Sequence, residues 1–426
     1  MPDKFHFQCV DCNAEYAGDK VIYLCPACDM QNKAGEPPRG VLKTVYPYDK
    51  ISGMYKSGEL FDNLEQDRFL PLLPLRSLEA WTGLRVGGTP LYRADRRAGG
   101  RADGRTGGQV YLKDDSQNPT FSFKDRASAL VSAWAKEHGI STLVAASTGN
   151  AGSSLAGICA SQGQRAMIVV PAAAPLAKLT QILMYGAFLV PVKGTYDDAF
   201  DLSVQISAKY GFYNRNTAYN PLTIEGKKTV SFEIFRQLGC QVPDRIFIPV
   251  GDGVIYSGVC KGFEDLLNLG IIDRMPVLVA VQAVGSSNLV NNLDNKSFTA
   301  VPSKTIADSI SVDVPRCFNM TAQYIKQYHG EFITVTDTEI LEASLKLSGS
   351  AGIFSEPAAV AAYAGMLKYR DQGLLRDGSK NVVLLTGSGL KDLSAVQSSI
   401  WIPGSIIPNL NAVEHLMETG HFKLAQ

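Results

Sequence analysis

The sequence predicts an α/β fold with two parallel-sheet domains and a small N-terminal module. Short β-branched apolar runs such as TLVAAS, RAMIVVP and RIFIPV recur along the chain, and segments of helical periodicity such as AGSSLAGICASQG separate most of them. Apolar strands without polar alternation are typical of parallel sheets that helices cover on both faces. A cluster of cysteines close to the N-terminus predicts the additional module.

The predicted module comprises residues 1–40 and contains two CxxC motifs, which twelve residues separate. Each motif can direct two sulfur atoms towards one point, so the pattern predicts a zinc-ribbon-like module with a structural zinc ion. Four thiolate ligands leave no open position, which argues against a catalytic zinc. A redox-active pair and a metal site that has lost its ion are the alternatives. The four residues are Cys9, Cys12, Cys25 and Cys28.

Length and charge restrict the class of protein. The chain has 426 residues, which is enough for two or three domains. Its 41 basic and 41 acidic residues balance, so nothing indicates nucleic-acid binding or electrostatic attachment to a membrane. The sequence shows no charged-then-apolar leader and no apolar run of about 18 residues, and we expect a cytoplasmic protein. The Gly- and Arg-rich segment 95–108 predicts an exposed hairpin loop rather than a ligand site.

Three predicted strands end in glycine-rich turns, in TLVAASTGNAGSS, RIFIPVGDGVIYSG and NVVLLTGSGLKD. Ligands of open α/β sheets bind at the carboxyl ends of strands, where loops meet helix N-termini. Glycines let backbone N–H groups approach a phosphate, and the helix dipole favours its negative charge. Lys124 opens a further helical segment, FKDRASALVSAWAKEHG. Together these features predict a phosphorylated cofactor that is held between the two domains.

These motifs resemble, in their order, those of the pyridoxal-phosphate enzymes of the tryptophan-synthase-like fold (fold type II), and among them the threonine synthases. The resemblance covers the cysteine module, GGTPL, NPTFSFKDR, ASTGNAGSS, YNPLTIEGKKT, PVGDG and LLTGSGLKD. It implies that pyridoxal 5′-phosphate lies between two domains. Residues 111–215 would form the small domain with the cofactor lysine, and residues 41–110 and 216–426 the large cofactor-binding domain. A homodimer is the common arrangement in the family.

The resemblance also implies roles for individual residues. Lys124 matches the lysine that forms the Schiff base with the cofactor, and Asn150 matches the asparagine beside the ring hydroxyl. Thr386 matches the residue that faces the pyridine nitrogen, where a hydroxyl makes the cofactor a milder electron sink than a carboxylate would. The loop that binds the substrate carboxylate corresponds to Ser147 and Thr148. The loop that binds the cofactor phosphate corresponds to Gly251, Asp252, Gly253 and Val254.

Two departures from the family pattern concern the binding of phosphate. Asp252 stands where many relatives have asparagine, so its carboxylate has to point away from the phosphate or be neutralised. Thr223 stands where many threonine synthases carry an arginine that helps to hold the substrate phosphate, and we expect its hydroxyl to be a weaker substrate contact at this position. Another cation would then have to supply that attraction. Lys113, which ends the strand before the Lys124 segment, is the first candidate, and Lys227 and Lys228 are the others.

The resemblance implies a threonine synthase, a carbon–oxygen lyase that converts O-phosphohomoserine and water to threonine and phosphate. Lys124 would move protons at Cα and Cβ of the substrate. Two alternatives keep the cofactor: β-replacement on O-phosphoserine, as in a cysteate-synthase-like enzyme, and a serine/threonine dehydratase. A regulatory or binding protein that has kept the fold is a third alternative, and the presence of Lys124, Asn150 and Thr386 argues against it.

Overall fold

The protein is described by a computed structural model over residues 4–56, 58–94 and 108–419. Apart from Gly108, the predicted hairpin loop at 95–108 lies outside these residues. The described residues form one antiparallel and two mainly parallel sheets, which confirms the predicted α/β class with two parallel sheets. Within the described ranges we find no helix whose length and apolar character would suit it to cross a membrane.

The N-terminal module is a three-stranded antiparallel sheet with a one-turn helix. Its third strand pairs with the first along its whole length, so the module extends about five residues beyond the predicted boundary at residue 40. Two short helices then lead to the larger domains. These elements are β1 (His6–Cys9), β2 (Glu15–Ala17), α1 (Pro26–Asp29), β3 (Leu42–Val45), α2 (Tyr48–Ser52) and α3 (Leu60–Gln66).

In the described part of the chain, the larger parallel sheet has six strands, of which only the edge strand β4 runs antiparallel to its neighbour. The inner strands are almost wholly buried, as their continuous apolar sequences predict. In spatial order the strands are β12 (Glu331–Val335), β11 (Val277–Ala283), β10 (Arg245–Pro249), β13 (Lys380–Leu385), β5 (Gln109–Asp114) and β4 (Leu91–Arg93).

The smaller sheet has four parallel strands. Its flanking helix α7 begins sharply, because the backbone N–H of Asp198 donates to Thr195 Oγ1 (3.2 Å) and the Asp198 carboxylate accepts from the Thr195 N–H (2.6 Å). The same helix ends at Gly211, whose φ of 68° favours glycine. In spatial order the strands are β8 (Phe188–Val192), β7 (Arg165–Pro171), β6 (Thr142–Ala146) and β9 (Tyr213–Asn214).

The helices cover both parallel sheets. Helix α4 begins at Lys124 and is buried on nearly all sides, because it packs between α5 and α8. Helices α5 and α9 each begin at one of the predicted glycine-rich turns. The helices are α4 (Lys124–Glu137), α5 (Asn150–Gln162), α6 (Leu176–Met184), α7 (Tyr196–Tyr210), α8 (Leu222–Gln237), α9 (Val254–Asn268), α10 (Asn288–Asn291), α11 (Phe318–Gln327), α12 (Asp337–Ala351), α13 (Pro357–Asp371) and α14 (Leu410–Thr419).

The pairing of β5 corrects one predicted domain boundary. The predicted boundary between residues 110 and 111 falls inside this strand, and the whole strand, Gln109–Asp114, pairs with β13 of the six-stranded sheet. Strand pairing is a tertiary property, and the apolar run QVYLKD would suit either sheet. The part of the chain that belongs to the small sheet therefore begins after residue 114.

Candidate active site

A cavity of about 560 Å³ opens where the carboxyl ends of strands from both parallel sheets face each other. The small sheet contributes the turn after β6 and the residues that follow β9. The large sheet contributes the turn after β10. Helices α5 and α9 begin at these turns, so their first residues, Asn150 and Val254, also line the cavity. This is the position in which parallel α/β sheets bind ligands.

Lys124 lies in the wall of this cavity at the start of α4. The preceding residue anchors the helix, because the Phe123 N–H donates to the carbonyl of Thr386 (2.9 Å). Within the described residues, no group lies at hydrogen-bonding distance from Lys124 Nζ. Desolvation lowers the pKa of Lys124 and Arg215 lowers it further, whereas Glu356 and Asp252 oppose the shift. The site therefore favours a neutral amine, which is the form that acts as a nucleophile or base.

Asn150 faces an acidic residue that the sequence did not identify. Its Nδ2 donates to both carboxylate oxygens of Glu356, at 2.9 Å each. Burial raises the pKa of Glu356, and the Asn150 hydrogen bonds and Lys124 oppose this. Glu356 is held in place by its backbone N–H, which donates to the Gly387 carbonyl (3.0 Å). The available signal was an acidic residue directly before a proline in an otherwise apolar segment, AGIFSEPAAVAAYAG.

The turn after β10 has the glycines that a close backbone approach requires. A Cβ at Gly251 would lie 2.8 Å from the Ile310 Cα, and Gly253 has φ of 88°. Between them, Asp252 Oδ1 accepts from the backbone N–H of Arg316 (3.2 Å). Burial raises the pKa of Asp252, while Arg316 lowers it. The carboxylate is thus bonded to the segment before α11, although Asp252 also lines the cavity. Its orientation away from a bound phosphate stays a prediction.

The STGN turn after β6 opens towards the cavity. Ser147, Thr148 and Gly149 all line it, and the Gly149 N–H donates to Ser147 Oγ (3.2 Å). A Cβ at Gly149 would meet no atom within 4 Å, so there is open space beside this backbone. The turn therefore presents hydroxyl groups and backbone N–H groups at the start of α5.

Thr386 is buried and is not among the residues that line the cavity. Its carbonyl accepts from Phe123, and the next residue, Gly387, accepts from Glu356. The backbone after β13 is thus joined by hydrogen bonds to the residue before Lys124 and to Glu356. Its predicted role towards a pyridine nitrogen stays a prediction.

Lys113 and Thr223 do not line the cavity, so their predicted role in binding the substrate phosphate is wrong. The buried Nζ of Lys113 donates to the Thr89 carbonyl (2.7 Å), Glu233 Oε2 (2.6 Å) and Gln237 Oε1 (2.9 Å). These contacts use all three of its N–H donors. The Thr223 hydroxyl donates to the Asn220 carbonyl (2.7 Å) and is also buried. Both side chains are therefore occupied within the protein.

The two other predicted candidates have different environments. Lys228 is buried between Glu225 (2.5 Å) and Asp265 (2.7 Å) and does not line the cavity. Lys227 does line it. Two arginines that the sequence analysis did not select, Arg215 and Arg316, line it as well. Their only sequence signal was a basic residue shortly after a short strand or before a helix.

The four cysteines of the module lie together, and none of them lines the cavity. Their sulfur atoms all lie within 4.8 Å of one another. Cys9 and Cys28 are separated by 3.8 Å between sulfurs, and Cys12 and Cys25 by 3.6 Å. A tetrahedron with zinc–sulfur bonds of about 2.3 Å has edges of about 3.8 Å. The donor set and its spacing therefore fit a zinc ion.

The family of pyridoxal-phosphate dependent enzymes matches residues 83–387 of the chain. The chain is 33% identical over 419 residues to a threonine synthase from Methanocaldococcus jannaschii, covering 96% of this chain and 99% of that protein. It is 34% identical over 415 residues to a threonine synthase from Methanosarcina acetivorans, covering 96% and 98%.

Solved structures show the same fold at lower identity. The processed form of threonine deaminase isoform 2 from Solanum lycopersicum has a TM-score of 0.64 at 22% identity, covering 81% of this chain and 93% of that one. Maize serine racemase has a TM-score of 0.62 at 21% identity, covering 78% and 94%. From the matched residues and the near full-length similarity, the chain belongs to the pyridoxal-phosphate dependent enzymes, in the family of the threonine synthases.

Proposed function

We propose that the enzyme converts O-phosphohomoserine and water to threonine and phosphate. The observation that carries this proposal is the 33–34% identity to threonine synthases along 96% of the chain. The cavity supports it with a desolvated lysine, a turn of hydroxyl and backbone N–H donors, and further cations. The lower-identity neighbours support the fold alone.

The residues of the cavity fit pyridoxal 5′-phosphate. Lys124 Nζ has no partner within the described residues, and we propose that it holds the cofactor aldehyde. Gly251 and Gly253 line the cavity directly before α9. We propose that the backbone N–H groups of this turn hold the cofactor phosphate, where the helix dipole adds attraction. We propose Asn150 for the ring hydroxyl and Thr386 for the ring nitrogen. When bound, the cofactor draws electrons away from Cα of the amino-acid substrate.

The chain's own residues then position the substrate and move protons. The substrate carboxylate would accept hydrogen bonds from Ser147, Thr148 and the backbone N–H groups that follow. Lys124 Nζ, neutral because of desolvation, would take a proton from Cα and then one from Cβ. Phosphate leaves Cγ, water adds its hydroxyl at Cβ, and protons are returned to Cγ and Cα. The atoms then balance to threonine and phosphate.

A panel of substrates tests this function. Purified enzyme is supplied with O-phosphohomoserine, O-phosphoserine, serine and threonine, and the release of phosphate, ammonia and pyruvate is measured side by side. We expect phosphate and threonine from O-phosphohomoserine at the highest kcat/KM. Preferred turnover of O-phosphoserine would instead indicate a β-replacement enzyme, and ammonia release from serine or threonine alone would indicate a dehydratase.

We propose a structural zinc ion on Cys9, Cys12, Cys25 and Cys28, supported by the sulfur separations. The module contacts α11, since Asn319 Nδ2 donates to Asp11 Oδ1 (3.0 Å). The ion would stabilise the module against the large domain. Metal analysis of the native protein should find one zinc per chain. We also propose the family's homodimer and a cytoplasmic location, which light scattering and cell fractionation test.

A further inference from the structure

Arg215 and Lys227 are two cations that line the cavity without an acidic partner. Both side chains are wholly shielded from bulk solvent. In the part of the chain that the structure describes, no carboxylate lies within 4.0 Å of either charged group. A buried charge without a counterion is costly for a folded protein. Such residues therefore indicate a ligand of opposite charge.

Arg215 is held by neutral groups only. Its Nε donates to Ser128 Oγ (3.1 Å), and its Nη1 donates to Thr217 Oγ1 (3.1 Å). Its Nη2 lies 3.4 Å from the carbonyl of Lys124. These contacts orient the guanidinium beside the residue proposed to hold the cofactor. No carboxylate among the described residues is in contact with it, although the charge of Asp125 acts on it from further away and opposes the lowering of its pKa. Burial lowers the pKa of Arg215 to about 10, so the group stays charged at neutral pH.

Lys227 packs closely against the neighbouring helix α9 at Gly258. Its Nζ donates to the Thr223 carbonyl one turn earlier in α8 (3.0 Å). A Cβ at Gly258 of α9 would lie 2.6 Å from the Lys227 Cβ, so a glycine is needed where the two helices meet. Burial, Arg215 and Lys124 all lower the pKa of Lys227. Arg215 and Lys227 line the same cavity as Lys124, so an anion bound there can lie near both cations.

We propose that Arg215 and Lys227 bind the phosphate of the substrate, with the Thr217 hydroxyl beside them. This inference rests on the proposed function, and it explains how the enzyme manages without an arginine at Thr223. A phosphate dianion would supply the negative charge that the two cations have no partner for, and charge-assisted hydrogen bonds are roughly twice as strong as neutral ones. The cofactor phosphate has a separate place at the Gly251–Gly253 turn of the other sheet.

The test uses the holoenzyme with Arg215→Gln and Lys227→Gln, and with Arg274→Gln as a matched control. Arg274 is half-exposed and does not line the cavity. We expect each cavity variant to raise KM for O-phosphohomoserine roughly tenfold to a hundredfold, while kcat changes less than about threefold. The inhibition constant of inorganic phosphate should rise by a similar factor. The control should leave both constants unchanged, and Arg215→Lys should recover part of the affinity.

Three results would overturn the proposal. They are an unchanged KM in both folded variants, an equal rise of KM for an unphosphorylated substrate such as serine, and an equal loss of affinity for pyridoxal 5′-phosphate. The last would mean that the pair holds the cofactor phosphate. If Arg215→Gln does not fold, as circular dichroism would show, Lys227→Gln and Arg215→Lys decide the question with the same constants.

The same measurements separate this proposal from the proposed function. If the wild type prefers O-phosphoserine, the function is wrong, and the site is supported when the variants raise KM for that substrate. If the wild type makes threonine from O-phosphohomoserine and the variants keep its KM, the function stands and the site is wrong. If phosphate neither inhibits nor is released from any substrate, both are wrong.

Discussion

Helix α8 carries two neighbouring lysines whose surroundings differ completely. Lys228 is buried between two carboxylates, those of Glu225 and Asp265. Lys227, one position earlier, lines the cavity, and no acid within the described ranges pairs with it. Removal of a paired buried lysine destabilises the fold, because its acidic partners stay buried without a counterion. An unpaired buried lysine such as Lys227 can instead bind an anionic ligand. The presence or absence of an acidic partner therefore distinguishes structural from functional cations in this protein.

Two arginines show the same contrast on a larger scale. Arg126 bonds to Asp115 and to Glu233, each at 2.6 Å, and these acids raise its pKa despite burial. Within the described residues, Arg215 contacts hydroxyls and a carbonyl but no carboxylate, and burial lowers its pKa. The direction of the pKa shift therefore follows the presence of a counterion. Arg126 joins the helices α4 and α8, whereas Arg215 faces the cavity.

The largest expected effect is the loss of Lys124, a third basic residue of the cavity whose amine has no acidic partner in contact within the described residues. Lys124→Ala should fold normally and lose at least about a thousandfold in kcat, because both the covalent attachment and the proton transfers depend on its amine. Borohydride reduction of the wild-type holoenzyme and peptide mapping should place the pyridoxyl group on Lys124. A label on Lys227 instead would contradict both assignments.

The next effect is the disruption of the paired network. Glu233→Gln should reduce the free energy of unfolding by about 3–5 kcal/mol, because it leaves Arg126 and Lys113 with too little negative charge in a buried place. Urea denaturation measures this loss. KM for O-phosphohomoserine should stay unchanged, since none of these side chains lines the cavity. A tenfold rise of KM with unchanged stability in Glu233→Gln would contradict the assignment of the paired cations to structure and of the unpaired cations to substrate binding.

The network also predicts a pH dependence of stability. Burial alone would raise the pKa of Glu233, but Arg126 and Lys113 outweigh it and lower the pKa to about 2, against an ordinary 4.5. The unfolded chain therefore binds more protons below about pH 4.5, and the stabilisation present above that pH is lost as the pH falls towards 2. Glu233→Gln should flatten this part of the stability curve.

The cysteine cluster presents the opposite case to the unpaired cations. Its thiolates would be negative charges without a cationic partner unless a metal ion binds. Tyr16 Oη lies 3.1 Å from Cys25 Sγ and would donate to that ligand. Tyr16→Phe should weaken zinc binding roughly tenfold or more, as is common for partners of metal ligands. Competition with a chelator measures the affinity. Tyr23→Phe is the matched control, because the Tyr23 hydroxyl accepts from Asn214 instead of contacting a sulfur. Equal zinc affinity in Tyr16→Phe and the wild type would contradict this role.

The sequence predicted the order of the helices and strands better than it predicted which residues pair with the buried charged side chains. Apolar runs and glycine-rich turns are local signals, and the strands at TLVAAS, RAMIVVP and RIFIPV lie where they were predicted. Counterions are not local: Lys113 meets Glu233, 120 residues later, and Asn150 meets Glu356, 206 residues later. Lys113 could therefore be mistaken for a phosphate ligand. Lys227 and Lys228 differ only by about 100° of rotation around their helix, and only packing distinguishes them.

The smallest expected effect is a change of phosphate affinity with pH, and this measurement tests the contribution of Lys227 alone. Burial, Arg215 and Lys124 lower its pKa, and Asp252 and Cys317 oppose the shift. Between this lowered pKa and the ordinary 10.5, the folded protein binds fewer protons than the unfolded chain, so its stability rises with pH across that window.

A bound phosphate favours the protonated lysine, so its binding takes up a proton and should weaken as the pH rises past the pKa of Lys227. For one proton the inhibition constant of inorganic phosphate should increase by up to about tenfold per pH unit. Lys227→Gln should lack this component and Arg274→Gln should keep it. The ionisation of phosphate itself is common to all three proteins, so the ratio of wild type to variant isolates the lysine. Parallel pH profiles for the wild type and Lys227→Gln would show that Lys227 does not contact the phosphate as a cation.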